Sequence, residues 1–188
     1  MKKALFGMFA LIATFFNQSP LQAEIQQVDI FWTAAACDER CVRFLERQLK
    51  AIPGVQSVKV FPEGGTAELF WKPRSEFKWE RLNLAMKRLG LKLKETQVSI
   101  RGTISHAGNN FFITSLGDAT KLEILSPALL SETQYVERNN VQSHLVREPL
   151  RSQLLEVEKN HQLVLMKGPL FEPWRGGNYI IADSVTIQ

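Results

Sequence analysis

"CVRFLERQLKAIPGVQSVKV", residues Cys41 to Val60, holds a helix, its stop and the strand that follows. Cys41, Phe44, Leu45, Leu49 and Ile52 recur at helical spacing, with Arg43, Glu46, Arg47 and Lys50 on the other side. Pro53–Gly54 cannot continue that helix and marks its end. Beyond it, "VQSVKVF" and "TAELFW" flank "PEGG", the pattern of a β-hairpin.

Upstream, Glu24 to Trp32 reads as a strand, because Ile25, Val28, Ile30 and the Phe31–Trp32 pair are β-formers. Downstream, Ser75 is a candidate N-cap for a second helix that runs to Leu89. Trp79, Leu82, Met86 and Leu89 form its apolar stripe, and Gly90 stands where a C-cap glycine belongs. "LKLKETQVSI" then resumes extended structure. The order β-α-β-β-α-β is the ferredoxin-like arrangement, one antiparallel sheet with both helices on one face. Phe44, Leu45, Leu49, Leu82 and Met86 are its expected core.

From Gln97 the texture changes to short strands with turn punctuation. "QVSIRGTIS", "NNFFITS" and "TKLEIL" read as three strands, with "HAG" and "LGDA" as turns. Residues 126–147 lack clear periodicity and read as a long mobile loop. "EPLRSQLLEVEKN" then reads as a helix, and "QLVLMKGPLF" and "NYIIADSVTI" as strands. Three strands, a helix and two strands is the order of a small OB-type barrel. The expected fold class is therefore α+β: a ferredoxin-like domain at 24–96, then an OB-like β-barrel domain at 97–188.

Cys41 to Val60 also resembles the heavy-metal-associated domain of copper chaperones and mercury-binding periplasmic proteins. Cys41, Val42, Leu45, Leu49, Ile52, Pro53, Gly54 and Val55 fall in that family's register without a gap, and "LNLAMKRLGL" is similar to its second helix. The resemblance covers about residues 25–100. It implies a soft metal, most simply Cu(I), held by Cys37 and Cys41 and passed by thiolate exchange to a metal-donor or metal-acceptor protein. The family carries Met-x-Cys-x-x-Cys, whereas this chain has "AAACDERC", with Asp38 at the position of the first family cysteine.

Cys37 and Cys41 are the two cysteines of the chain. If both are helical, a spacing of four places them on one face with Cβ atoms about 5–6 Å apart. Bonds of about 2.3 Å to a soft metal bridge that gap, and thiolates favour ions such as Cu(I). A disulfide needs Cβ atoms about 3.5–4.5 Å apart, which a regular helix resists and a loop before the helix allows. Three readings stay open: a metal clamp, a disulfide, or two unrelated thiols. With a disulfide, the protein is a non-enzymatic ligand- or protein-binding module without metal.

The N-terminal 23 residues read as a secretory signal peptide. Lys2 and Lys3 precede the uncharged run Ala4–Phe16, and "SPLQA" ends on small Ala23. The run is shorter than the roughly 20 residues that span a bilayer, so no membrane span is expected after cleavage. The expected location is periplasmic or secreted, where disulfides persist. Removing Lys2 and Lys3 lowers the net charge from +4 to +2, which gives little reason to expect nucleic-acid binding. No nucleophile elbow or phosphate-cradling loop is present, so no enzyme is expected.

His106, His144 and His161 stand apart from one another and from the cysteines, and read as solvated surface histidines. Met86 belongs to a helical stripe and Met166 to a strand. Adjacent aromatics on a strand point to opposite faces, so one member each of Phe31–Trp32 and Phe70–Trp71 faces away from the helices. Packing against the barrel is expected to bury that patch, while exposure would make it a binding surface.

Overall fold

The computed structural model describes residues 25–33, 39–118, 120–127, 140–171 and 178–188. The segment read as a signal peptide, Cys37, and residues 128–139 of the expected loop lie outside the described residues. In chain order the strands are β1 (Ile25–Trp32), β2 (Val55–Phe61), β3 (Thr66–Trp71), β4 (Leu93–Ala107), β5 (Asn110–Ser115), β6 (Lys121–Leu125), β7 (Leu163–Phe171), β8 (Tyr179–Ile181) and β9 (Ser184–Ile187). The helices are α1 (Glu39–Lys50) and α2 (Trp79–Arg88), before β4, and α3 (Leu150–Lys159), before β7.

The strands join in a single sheet of order β2-β3-β1-β4-β5-β6-β8-β7-β9, and β4 also pairs with β7. That last pairing closes β4, β5, β6, β8 and β7 into a five-stranded barrel. Among the described residues its one parallel contact is β6 with β8, and α3 lies between β6 and β7 in the chain. The barrel is compatible with the OB-like expectation. The expected α+β fold, a ferredoxin-like domain followed by a separate barrel, is corrected. Nine strands outweigh three helices among the described residues, and the chain is mostly β.

The physical reason for that correction is β4. Its segment Leu93–Ile100 pairs with β1, Gly102–Ala107 pairs with β5, and Gln97–Thr103 pairs with β7. Residues 96 and 97 therefore lie inside one uninterrupted strand. Val98, Ser99 and Ile100 are all buried, so alternation gives way to two-sided burial where the open sheet becomes barrel. Buried side chains from Ile25 to Ala182 form one continuous cluster.

Helix α1 seats Leu45 and Leu49 on the sheet, both almost fully buried, with Ile52 just beyond its end. Phe44, expected in the core, is 51% exposed. One residue turns a helix by about 100°, so the stripe that buries Leu45 and Leu49 carries Phe44 to the flank. Helix α2 buries Leu82 and Met86 as expected, but it starts at Trp79 with Lys78 as the cap residue, not at Ser75. Trp79 donates from its indole to Thr96 Oγ1 at 3.3 Å, which satisfies a buried hydroxyl on β4.

The Pro53–Gly54 stop has two steric causes. Gly54 adopts φ +99°, and a Cβ there would lie 2.6 Å from Trp71 Nε1. Its carbonyl accepts from Lys72 N at 2.6 Å, which ties the end of α1 to the end of β3.

Candidate functional site

Cys41 lies in the first turn of α1, half-buried, and is disulfide-bonded. The one other cysteine of the sequence is Cys37, outside the described residues. A disulfide sulfur carries no thiolate charge, and the thiolate is the form that binds soft metals. Among the described residues no three His, Cys, Asp or Glu side chains are grouped to hold a metal ion.

The histidines divide. His161 is exposed just past α3, and His106 is exposed but held. The His106 ring pairs with Glu158 of α3, its backbone N–H donates to the same carboxylate at 3.2 Å, and the ring stacks on Phe111. His144 is not solvated as expected: it is 5% exposed. Its Nδ1 lies 3.0 Å from Ser126 O and its ring centre 4.7 Å from that of Phe171. Ser126 N donates to His144 O at 2.7 Å, so the 3-10 turn Val141–His144 folds back onto the end of β6. Met86 and Met166 are both fully buried core residues.

The aromatic pairs alternate as expected. Trp32 and Trp71 are buried on the helix side, and Trp71 meets Phe77 edge to face at 5.2 Å. Phe70 faces away and stays 38% exposed, so the barrel does not bury it as expected. Register places Gln27 and Ser57 on either side of Phe70, and Phe31 and Phe61 on either side of Thr66. Lys59 Nζ sits 4.6 Å from the Phe61 ring centre. The open face is thus polar, with separate aromatic islands.

A cleft of about 440 Å³ lies between the segment before α2 and the turn joining β5 to β6. Asp118 frames it. Its carboxylate accepts from the hydroxyls of Ser115 and Thr120, from Thr120 N at 3.2 Å and from Phe77 N at 3.3 Å. "LGDA" reads only as a turn in the sequence. The available signal was local: Ser, Asp and Thr within six residues compete for backbone and hydroxyl donors in a turn. Lys78 pairs with Glu76 at 3.0 Å, and Lys121 Nζ lies 4.1 Å from the Phe112 ring centre. The cleft offers charges of both signs on a fixed frame, which suits a polar ligand.

Burial raises the carboxyl of Glu123 above its ordinary value. Burial, and then the charge of Glu95, raises that of Asp183. A raised carboxyl binds its proton more tightly in the folded protein than in the unfolded chain. Stability from this group is therefore lost as pH rises from the ordinary carboxylate value through the raised one. Asp183→Asn is expected to raise the melting temperature at pH 7 and to leave it unchanged near pH 3. Equal shifts at both pH values, or a drop at pH 7, would contradict this.

No family model matches the chain, and no curated protein or solved structure matches it.

Proposed function

We propose that the protein is a non-enzymatic binding module of an oxidising compartment outside the cytoplasm, in which Cys37 and Cys41 form a structural disulfide. The supporting observation is that Cys41 is disulfide-bonded in a chain with one other cysteine. The bridge closes a very short loop, so its entropic contribution is modest, about 2 kcal/mol. Its role is local: it ties the segment entering α1 to that helix's first turn. The cleft framed by Asp118 and the exposed faces around Phe70 and Phe44 are the surfaces available to a ligand or a protein.

A second reading belongs to the reduced protein. Three residues separate Cys41 from Cys37, and Cys41 sits in the first helical turn, where the helix N-terminus favours a thiolate. Reduction would then give a two-thiolate site for Cu(I), exchanged with a donor or acceptor protein. Competition against a Cu(I) chelator separates the two readings. Protein isolated without reductant is expected to leave Cu(I) with the chelator, as does Cys41→Ser. About one Cu(I) retained per chain, and lost in Cys41→Ser, would overturn the binding-module reading.

A further inference from the structure

We propose that the groove between α1 and α2 docks an acidic amphipathic helix of a partner protein, through one large apolar side chain flanked by carboxylates. This deepens the binding-module reading and rests on it. The groove has a volume of about 220 Å³, with Ala51, Ile52 and Pro53 on one side and Leu84 and Ala85 on the other. That is below the ~300 Å³ at which small-molecule pockets begin, and its lining is more apolar than polar. It fits the side chain of an anchor residue better than a free ligand.

The flanks carry the same chemistry. Leu84 is 49% exposed and Phe44 51% exposed, and Phe44 shares a helix face with Gln48 and Ala51 at the groove's edge. A single exposed leucine needs no explanation, but Leu84 lines this concavity and Phe44 lies on the adjoining face of α1.

Charge decides the class of partner. Helices α1 and α2 together carry seven Lys or Arg and three Glu. Their excess of four positive charges is larger than the +2 that the chain carries without Lys2 and Lys3. The positive charge is concentrated on the helix layer. Arg81 and Arg88 line the groove, and among the described residues neither forms an ion pair. A guanidinium is matched best by a planar carboxylate, which it grips with two parallel hydrogen bonds.

Spacing decides the shape of the partner. Arg81 and Arg88 are two helical turns apart, about 10.5 Å along the axis of α2. Glu at i and i+7 of a second helix have the same separation and the same face, and a Leu or Phe at i+3 or i+4 falls between them. A helix laid along two helices in this way is a known recognition geometry. A flat anionic membrane or a nucleic acid would use the arginines but leave the apolar groove empty.

The test uses full-length protein isolated without reductant and a fluorescein-labelled helical peptide of Ala and Glu with one Leu, arranged Glu-x-x-Leu-x-x-x-Glu. Anisotropy titrations are expected to show binding that weakens by about tenfold when the peptide's Leu becomes Ser, and by about tenfold with Arg81→Glu/Arg88→Glu. Both arginines are exposed, so the double variant is expected to melt like the parent protein. Amide shifts on titration are expected at Gln48, Ala51, Leu84 and Arg88. No binding, or equal binding by the Ser peptide or the double variant, overturns the proposal. So does capture of phosphatidylglycerol vesicles or a single-stranded oligonucleotide in place of the peptide. Zero free thiols together with no peptide binding removes the docking site and leaves the binding module standing. Two free thiols per chain removes the binding-module reading whatever the peptide does.

Discussion

Gly168→Ala is expected to open the barrel. Gly168 lies on β7 opposite Val98 of β4, at the pairing that closes the five strands. A Cβ on Gly168 would stand 1.7 Å from Ile181 O and 2.9 Å from Ile181 C. Carbon atoms prefer about 3.5–4.0 Å to a neighbour, and a backbone carbonyl has no rotamer by which to move aside. The end of β8 must therefore separate from β7, and Leu170↔Ile180 pairs just beside that point. Overpacking costs about 1–3 kcal/mol where side chains give way, and a backbone clash belongs at or above the upper end. With a urea slope of about 2 kcal/mol/M, the midpoint is expected to fall by about 1.5 M. Gly64→Ala is the control, since its nearest atoms are those of the Thr66 side chain at 3.5 Å and beyond. Equal midpoints for the two variants would contradict the closed barrel.

A chain of residues 24–96 is expected to remain unfolded, although 96 is where the sequence texture changes. Strand β1 is central, between β3 and β4, and its residues Ile25, Gln27, Val28 and Asp29 pair with Ile100, Ser99, Val98 and Gln97. Ending at 96 removes all four partners. It also removes the buried side chains Val98 and Ile100, at about 1.5–3 kcal/mol each. That loss is comparable with the whole stability of a small domain, about 5–15 kcal/mol. Extending the chain to 107 restores those pairs and is expected to restore amide dispersion. A 24–96 chain whose dispersed spectrum overlays that of the full-length protein would contradict the shared role of β4.

Local punctuation was legible in the sequence, while long-range continuity was not. Leu45 and Leu49, and Leu82 and Met86, announce buried stripes because helical spacing is a local signal. The Pro53–Gly54 stop was also legible. Its demand for φ +99° and a close approach to Trp71 explains why no other residue type serves there. Phe44 and Leu45 are adjacent and both apolar, so spacing alone could not say which faces the sheet. The extent of β4 was hidden because a strand's far partners, β5 and β7, leave no mark on its own alternation beyond the run Val98–Ile100. Ser75 looked like a cap by residue type, but Phe77 docks first, with its N–H on Asp118. His144 looked solvated because nothing in "VQSHL" foretells Ser126 and Phe171 as neighbours. For Cys37 and Cys41 the spacing admitted clamp and bridge alike, since the choice depends on where the helix begins. Helix α1 is described from Glu39 onward and carries Cys41, which is disulfide-bonded.

The oxidation state of that pair decides the account. Full-length protein is expressed into an oxidising compartment and denatured in the presence of an alkylating agent, without reductant, and its intact mass is recorded. A disulfide between the two predicts no alkylation without reductant and two adducts after reduction, at Cys37 and Cys41. Two adducts without reductant would contradict it, and would return the cysteines to the thiolate chemistry of a soft-metal site.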